Sequence, residues 1–160
     1  MKKQILLVLI IFLSGIALSQ QLSTTFNNDY SRWNFEDTRI RTTFIDDFNQ
    51  WKCDNQRIQT VFTKDWNSWR IGNDVTLKTV FSNDFNTWVI KGQGINVRLR
   101  TTFNNDFSRW KVTGDAQGEI KTVFTDDYQR WDIDVDFDKI PDDIRCAIVF
   151  IAVITSFRLN

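Results

Sequence analysis

The sequence of 160 residues contains no histidine, and this absence excludes several kinds of active site. Without imidazole there is no Ser-His-Asp triad, no histidine-ligated zinc and no general base with an unperturbed pKa near neutrality. Proline occurs once, glycine six times and cysteine twice. Basic and acidic residues number 20 each, so the formal charge is zero. A dedicated nucleic-acid-binding protein, which is normally basic, is therefore not expected.

The sequence also lacks a glycine-rich phosphate-binding loop, since Lys91-Gly92-Gln93-Gly94 does not match the required pattern. Acidic pairs such as Asp46 and Asp47 are neighbours within turn-like segments and do not form a single pair placed across a cleft. The distinctive features occur six times, which is typical of a scaffold. We therefore expect no enzymatic activity, no bound cofactor and no metal centre.

The first nineteen residues have the three-part pattern of a secretory signal peptide. Met1–Lys3 is basic, Ile5–Leu13 is apolar, and Ala17-Leu18-Ser19 offers small residues for cleavage before Gln20. Residues 1–19 therefore predict export to the periplasm or the extracellular space. An uncleaved N-terminal anchor is the alternative.

Residues 20–139 consist of six copies of the pattern T-(T/V)-F-x-x-D-(F/Y/W)-x-x-W. The copies are Thr24–Trp33, Thr42–Trp51, Thr60–Trp69, Thr79–Trp88, Thr101–Trp110 and Thr122–Trp131. The residues on both sides of each copy alternate between aliphatic and polar, which is typical of strands. The Asp-containing centre has the chemistry of a turn. The sequence therefore predicts a mainly β protein with six hairpins, or about twelve short antiparallel strands in a meander. The helical spacing of Phe26, Tyr30 and Trp33 also permits a single helical turn within the loop.

A four-residue loop in the fourth hairpin would place Phe81 opposite Asn86, Thr79 opposite Trp88 and Leu77 opposite Ile90. The face with the aliphatic residues, Phe and Trp is then the buried one. The predicted repeat core is Phe26, Trp33, Phe44, Trp51, Phe62, Trp69, Phe81, Trp88, Phe103, Trp110, Phe124 and Trp131. Exposed tryptophans that stack on sugars are the alternative.

The aspartate of each repeat is expected to cap its turn, with a repeated calcium ligand as the alternative. The six aspartates are Asp29, Asp47, Asp65, Asp84, Asp106 and Asp127.

The same register places most of the basic residues on the opposite, outer face. The predicted anion-binding wall is Arg39, Arg41, Lys52, Arg57, Arg70, Lys78, Arg98, Arg100, Arg109 and Lys111, with Arg32, Lys121 and Arg130 on the same face. Such a wall either keeps the protein soluble or binds the anionic groups of envelope glycans or lipids.

Residues 140–160 predict a hydrophobic helix that packs in the same domain. Pro141 suits the first turn of a helix, and Ile144–Ile154 is apolar nearly all round, as in buried helices. The apolar stretch between Arg145 and Arg158 is too short to span a membrane, which needs roughly 20 residues. A strand, or a docking segment at a membrane surface or a partner, is the alternative.

The two cysteines are both expected in the core. Cys53 lies where other repeats have Ile71, Ile90 or Val112, and Cys146 lies in the hydrophobic tail. They are either two buried free thiols or a disulfide that ties the fourth strand to the tail.

The side chains of twelve strands cannot fill the interior of the barrel that they form, and the hydrophobic helix predicted for residues 140–160 can occupy that interior. Twelve antiparallel strands around a C-terminal hydrophobic helix resemble the Tubby-like barrel of Tubby proteins, phospholipid scramblases and LURP-one-related proteins. The resemblance implies a closed barrel and a lipid-linked theme, and it transfers no functional residue. We predict an exported, non-enzymatic β-repeat protein with a structural or binding role at the cell envelope. The alternative is a multivalent protein that binds glycans or anionic lipids.

Overall fold

The computed structural model describes residues 19–159, so the predicted signal peptide lies outside the described residues except for Ser19. The strands are β1 (Gln20–Thr24), β2 (Arg32–Phe35), β3 (Thr38–Thr42), β4 (Gln50–Cys53), β5 (Gln56–Thr60), β6 (Ser68–Ile71), β7 (Val75–Phe81), β8 (Asp84–Gly92), β9 (Ile95–Thr101), β10 (Arg109–Gly114), β11 (Gly118–Thr122) and β12 (Arg130–Val135). One helix, α1 (Asp142–Leu159), follows them. Each strand pairs antiparallel with its neighbours in sequence, and β1 pairs with β12 to close the barrel. The predicted fold class is confirmed.

A threonine–tryptophan pair marks the last inward-facing position of every hairpin. The pairs are Thr24 with Trp33, Thr42 with Trp51, Thr60 with Trp69, Thr79 with Trp88, Thr101 with Trp110 and Thr122 with Trp131. Leu77 also lies opposite Ile90, as predicted. Phe81, however, faces Asp84 and not Asn86, because the register shifts between Thr79 and Phe81.

The prediction for the repeat core is half right. All six tryptophans are at most 1% exposed. The six phenylalanines are instead 55–69% exposed, so their assignment to the core is wrong. These are Phe26, Phe44, Phe62, Phe81, Phe103 and Phe124.

The phenylalanines turn outward because regular strand pairing ends at the threonine–tryptophan pair in five hairpins and is interrupted by the register shift between Thr79 and Phe81 in the fourth. In the first hairpin the carbonyl of Phe26 accepts a hydrogen bond from the Asp29 amide at 3.2 Å, which closes a β-turn. The third residue of that turn, Asn28, has a φ of 61°. A positive φ at this position is typical of a type II turn, which redirects the chain and ends the in–out alternation of side chains. The equivalent residue has a positive φ in all six loops: Asn28, Asp46, Lys64, Asn83, Asn105 and Asp126.

Helix α1 runs through the barrel and fills it, as predicted. Nearly all of Ile144–Ile154 is buried, with the half-buried Arg145 as the exception. In the middle of the barrel, the Phe150 ring packs edge-on against Trp51 and Trp69 at centroid distances of 5.4 and 5.1 Å. Across residues 19–159, no helix has both the length and the apolar character needed to span a membrane.

The barrel has two different ends. We call the end with the six repeat loops, which connect each paired threonine to its tryptophan, the loop end. The opposite end, with the turns that join successive hairpins, is the link end. The helix begins at the link end, where Gln93 donates a hydrogen bond to Asp143, and it ends at the loop end, where Phe157 packs on Phe48 and Trp66.

A disulfide joins Cys53 of β4 to Cys146 of α1, across a sequence separation of 93 residues. Of the two alternatives for the cysteines, the disulfide is therefore the one present, and neither cysteine is free.

Candidate functional site

Each repeat loop is held by its aspartate, which caps the turn as predicted. The Oδ1 atom accepts a hydrogen bond from the amide two residues further on, at 2.9–3.0 Å in every loop. The calcium alternative has no support, because residues 19–159 contain no cluster of three or more His, Cys, Asp or Glu that could hold a metal ion.

The hydrogen bonds that cap the turns also lower the pKa of two loop aspartates. Hydrogen bonds from the Asn86 side chain and amide lower the pKa of Asp84, and those from Ser108 lower the pKa of Asp106 in the same way. These carboxylates therefore stay charged below the pH at which an ordinary aspartate is protonated. The loop end carries ionised carboxylates throughout the physiological range.

The tryptophan of each repeat fastens the other side of its loop. Its indole Nε1–H donates to the carbonyl oxygen three residues earlier, at 2.8–3.2 Å. The acceptors are Tyr30, Phe48, Trp66, Phe85, Phe107 and Tyr128. A buried indole N–H needs such a partner, so this bond explains how six tryptophans can lie fully inside the protein. The alternative of exposed sugar-stacking tryptophans is wrong.

Neighbouring loops are bonded to one another as well. In four places a side-chain amide oxygen accepts the backbone N–H of the positive-φ residue in the next loop, at 2.6–2.9 Å. The pairs are Asn49 with Lys64, Asn67 with Asn83, Asn86 with Asn105, and Gln129 with Asn28 across the closure of the barrel. Side-chain amides thus hold the backbone of four of the six loops at the loop end.

This ring displays apolar side chains. We call the six exposed phenylalanines the phenylalanine crown. The large hydrophobic side chains that are exposed within residues 19–159 are Phe26, Phe44, Ile45, Val61, Phe62, Val80, Phe81, Phe103, Phe124 and Leu159. Nine of them lie in the six loops, and Leu159 ends the helix at the same end of the barrel. Sequence reasoning missed the crown. The available signal was the Asn or Asp that stands two residues after five of the six phenylalanines, as Asn28 does after Phe26, because these residue types favour turns.

The predicted basic wall lies on the outside of the barrel. All ten of its residues are exposed, and so are Arg32 and Arg130, while Lys121 is half-buried. The positions of these residues are therefore confirmed, whereas anion binding itself stays a prediction.

Four of these cations form a row that we call the cation ladder: Arg32, Arg41, Lys52 and Arg57. Arg32 lies directly opposite Arg41, Arg41 opposite Lys52, and Lys52 opposite Arg57, on four adjacent strands. At the usual spacing of about 4.8 Å between strands, the row extends roughly 15 Å around the wall.

The ladder lacks acidic partners. The ion pairs observed within residues 19–159 join Arg109 and Lys121 to Glu119, and Arg145 to Glu36, and none contains a ladder residue. The Arg57 guanidinium donates to the neutral side chain of Gln50 at 2.9 Å. The ladder is therefore a row of cations of which none is held in an observed ion pair, although Asp37 and Asp54 lie near Arg41 on the same surface.

A separate cavity of about 240 Å³ opens at the link end beside the disulfide. Arg145 borders it, with its guanidinium over the rings of Phe35 and Phe137 at 5.0 and 5.3 Å and in an ion pair with Glu36. The charge of Arg145 is thus already balanced by protein groups. Nearby, burial and the carboxylates of Asp142 and Asp74 raise the pKa of Asp143.

Neither a protein-family model, nor a curated protein, nor a solved structure matches the chain. The resemblance to the Tubby-like barrel therefore stays a prediction. Functional conclusions rest on the two surfaces described above, the cation ladder and the phenylalanine crown.

Proposed function

We propose that this protein is an exported, non-enzymatic binding protein of the cell envelope, and that the cation ladder of its outer wall binds anionic groups of glycans or of lipid headgroups. The observation that carries the proposal is the cation ladder. Like charges that face each other across strands destabilise a sheet by roughly 0.2–1 kcal/mol for each pair. The ladder contains three such pairs in succession. A bound polyanion would replace this repulsion with attraction.

Export is supported by two further features. A disulfide such as Cys53–Cys146 is typical of proteins that fold in an oxidising compartment. Strand β1 begins at Gln20, directly after the predicted cleavage site, so removal of residues 1–19 would leave every strand of the barrel whole.

A binding role without catalysis agrees with the symmetry of the loops. The loop aspartates engage their own turns, and the same arrangement occurs six times around the ring. A catalytic centre, by contrast, is one constellation with each group in a distinct position. The repeat therefore favours a surface that makes many similar contacts.

The test compares retention on immobilised dextran sulfate at increasing salt for the unmodified protein and the double variant Arg41→Gln/Lys52→Gln. Taking about 1 kcal/mol for each cation at an anionic surface, the variant should bind roughly thirtyfold more weakly. Its retention should also depend less steeply on salt. Vesicles with and without an anionic phospholipid, measured in parallel, separate a lipid headgroup from a glycan as the source of the anion.

The matched control is Lys91→Gln/Arg98→Gln, which removes the same charge from exposed positions outside the ladder. Lys91 faces Thr76 and Asn96, and Arg98 faces Val89 and Thr113, so neither has a cation directly opposite. A loss of affinity as large as that of the ladder variant would show that only net charge matters. Absence of retention at low salt on both probes would refute the proposal.

A further inference from the structure

We propose that the phenylalanine crown docks the loop end of the barrel onto a zwitterionic lipid surface. This inference goes beyond the proposed function, because it concerns the aromatic side chains of the loop end and not the cations of the wall. The two surfaces meet where the Arg32 guanidinium lies over the Phe26 ring, at 5.9 Å from its centroid.

The exposed apolar surface of the barrel is concentrated at its loop end. Single exposed hydrophobic residues scattered over a protein are ordinary, whereas apolar groups collected in one region mark interaction sites. Here the ten large exposed hydrophobic side chains found within residues 19–159 all lie at one end of the barrel. The six phenylalanines among them are each more than half exposed.

The loop backbone that carries the crown is already fixed before any contact. Each loop is held by its aspartate cap and by the indole hydrogen bond of its tryptophan, and amide side chains join four of the six pairs of neighbouring loops. Twelve strands at about 4.8 Å spacing, tilted by roughly 40°, give a ring about 24 Å across. Rigid apolar groups lose little conformational entropy when they bind, so a preformed ring favours docking.

The composition of the loop tips favours a lipid surface as the partner. The residues that follow the phenylalanines differ in charge from loop to loop, as Asn27-Asn28, Ile45-Asp46 and Thr63-Lys64 show. The aromatic ring is the feature that the loop tips share. A bilayer presents the same apolar layer to all six points at once, whereas a protein partner would itself need a matching ring. Charged residues of the loops, such as Asp46 and Lys64, limit the contact to the phenylalanine rings, since charged groups are costly inside a membrane.

The charge of the loops favours a zwitterionic membrane over an anionic one. The six loops contain eight aspartates and four basic residues. The aspartates are Asp29, Asp46, Asp47, Asp65, Asp84, Asp106, Asp126 and Asp127. Hydrogen bonds keep the pKa of Asp84 and of Asp106 low, so these groups remain ionised at the surface. This excess of negative charge opposes an anionic membrane, and it opposes a second copy that faces the first crown to crown.

The experiment measures sedimentation with pure phosphatidylcholine vesicles in 0.5 M salt, a concentration at which exposed charges are screened within about 4 Å. All strands and the helix lie within residues 20–159, so the chain from Gln20 onward, with its disulfide formed, contains the whole fold. We expect this chain to bind. The variant Phe62→Ser/Phe103→Ser should bind at least about tenfold more weakly, because two of the six phenylalanines that contact the membrane are lost. The matched variant Phe62→Leu/Phe103→Leu should retain binding, since its side chains remain apolar.

Several outcomes would overturn the inference. The unmodified chain could fail to sediment with the vesicles, or the serine variant could bind as well as the leucine variant. Binding that requires an anionic lipid, and that Arg41→Gln/Lys52→Gln abolishes, would assign membrane contact to the cation ladder instead. A crown-dependent dimer in light scattering, without vesicle binding, would identify a second copy as the occupant. If the protein is not retained on dextran sulfate but binds phosphatidylcholine vesicles, only the proposed function is refuted, since the dextran sulfate experiment tests the cation ladder and the vesicle experiment tests the phenylalanine crown.

Discussion

At the residue scale, the first and the last of the three aromatic positions of each repeat have opposite environments although they are only seven residues apart. The tryptophan lies in the core, and its N–H closes the loop, as Trp110 does by donating to the carbonyl of Phe107 at 3.1 Å. The phenylalanine, here Phe103, begins the turn and is 66% exposed. One residue type thus builds the barrel, and the other is displayed by it.

This difference predicts unequal costs of substitution. Trp110→Phe removes a buried hydrogen bond and leaves a cavity, so it should lower the free energy of unfolding by about 2–3 kcal/mol. Phe103→Ser changes an exposed side chain and should alter it by no more than about 0.5 kcal/mol. Urea denaturation followed by circular dichroism measures both. Equal effects would contradict the division between core and crown.

At the element scale, helix α1 is apolar on every side. Its buried residues run continuously from Cys146 to Ser156, so hydrophobic burial alone does not select one rotation of the helix about its axis. Specific bonds do so instead. They are the disulfide to Cys53, the ion pair of Arg145 with Glu36, and the indole N–H of Trp131, which donates to the Ser156 hydroxyl at 3.1 Å.

We therefore expect the disulfide to stabilise the docked helix. Cys53→Ala/Cys146→Ala should lower the free energy of unfolding by about 2–4 kcal/mol, because the unfolded chain loses a long covalent loop. A reductant should destabilise the unmodified protein and leave the variant unaffected. Thermal unfolding of both proteins with and without reductant gives the four measurements. A variant as stable as the oxidised protein would show that packing alone holds the helix.

At the scale of the whole molecule, the barrel and its helix need one another. Twelve strands enclose more space than their own side chains fill, and Phe150 and Phe157 occupy the region between the tryptophans. Without the helix, the inner rows of aliphatic residues and tryptophans would face water. Closure of β1 on β12 leaves no free edge among the described strands.

Truncation tests this dependence. A chain that ends after Asp138 should lose its near-ultraviolet circular dichroism and expose its tryptophans to acrylamide, because the core has no filler. A chain that ends after Phe157 keeps the buried part of the helix and should remain folded. A folded, soluble barrel from the shorter chain would contradict the packing argument.

The sequence by itself determined the features that depend on short stretches of chain. Alternation and turn chemistry within about twenty residues predict the hairpins, the pairing of Thr79 with Trp88 and the outward cations. Each of these follows from the two-residue period of a strand and the pairing across one hairpin. The nearly all-round apolar character of Ile144–Ile154 likewise predicted that this helix occupies the interior of the barrel.

Only the tertiary structure decided the features that depend on where the alternation stops or on how distant segments meet. Phe26 points outward because β1 ends at Thr24 and the chain bends at Thr25 and Phe26, whereas continued strand alternation would place this side chain inside. Cys53 meets Cys146 because the helix returns through the barrel beside β4. The cation ladder requires the register between successive hairpins, which the two-residue links between β2 and β3 and between β4 and β5 set. The two surfaces proposed to bind therefore belong to the assembled barrel and not to any single repeat.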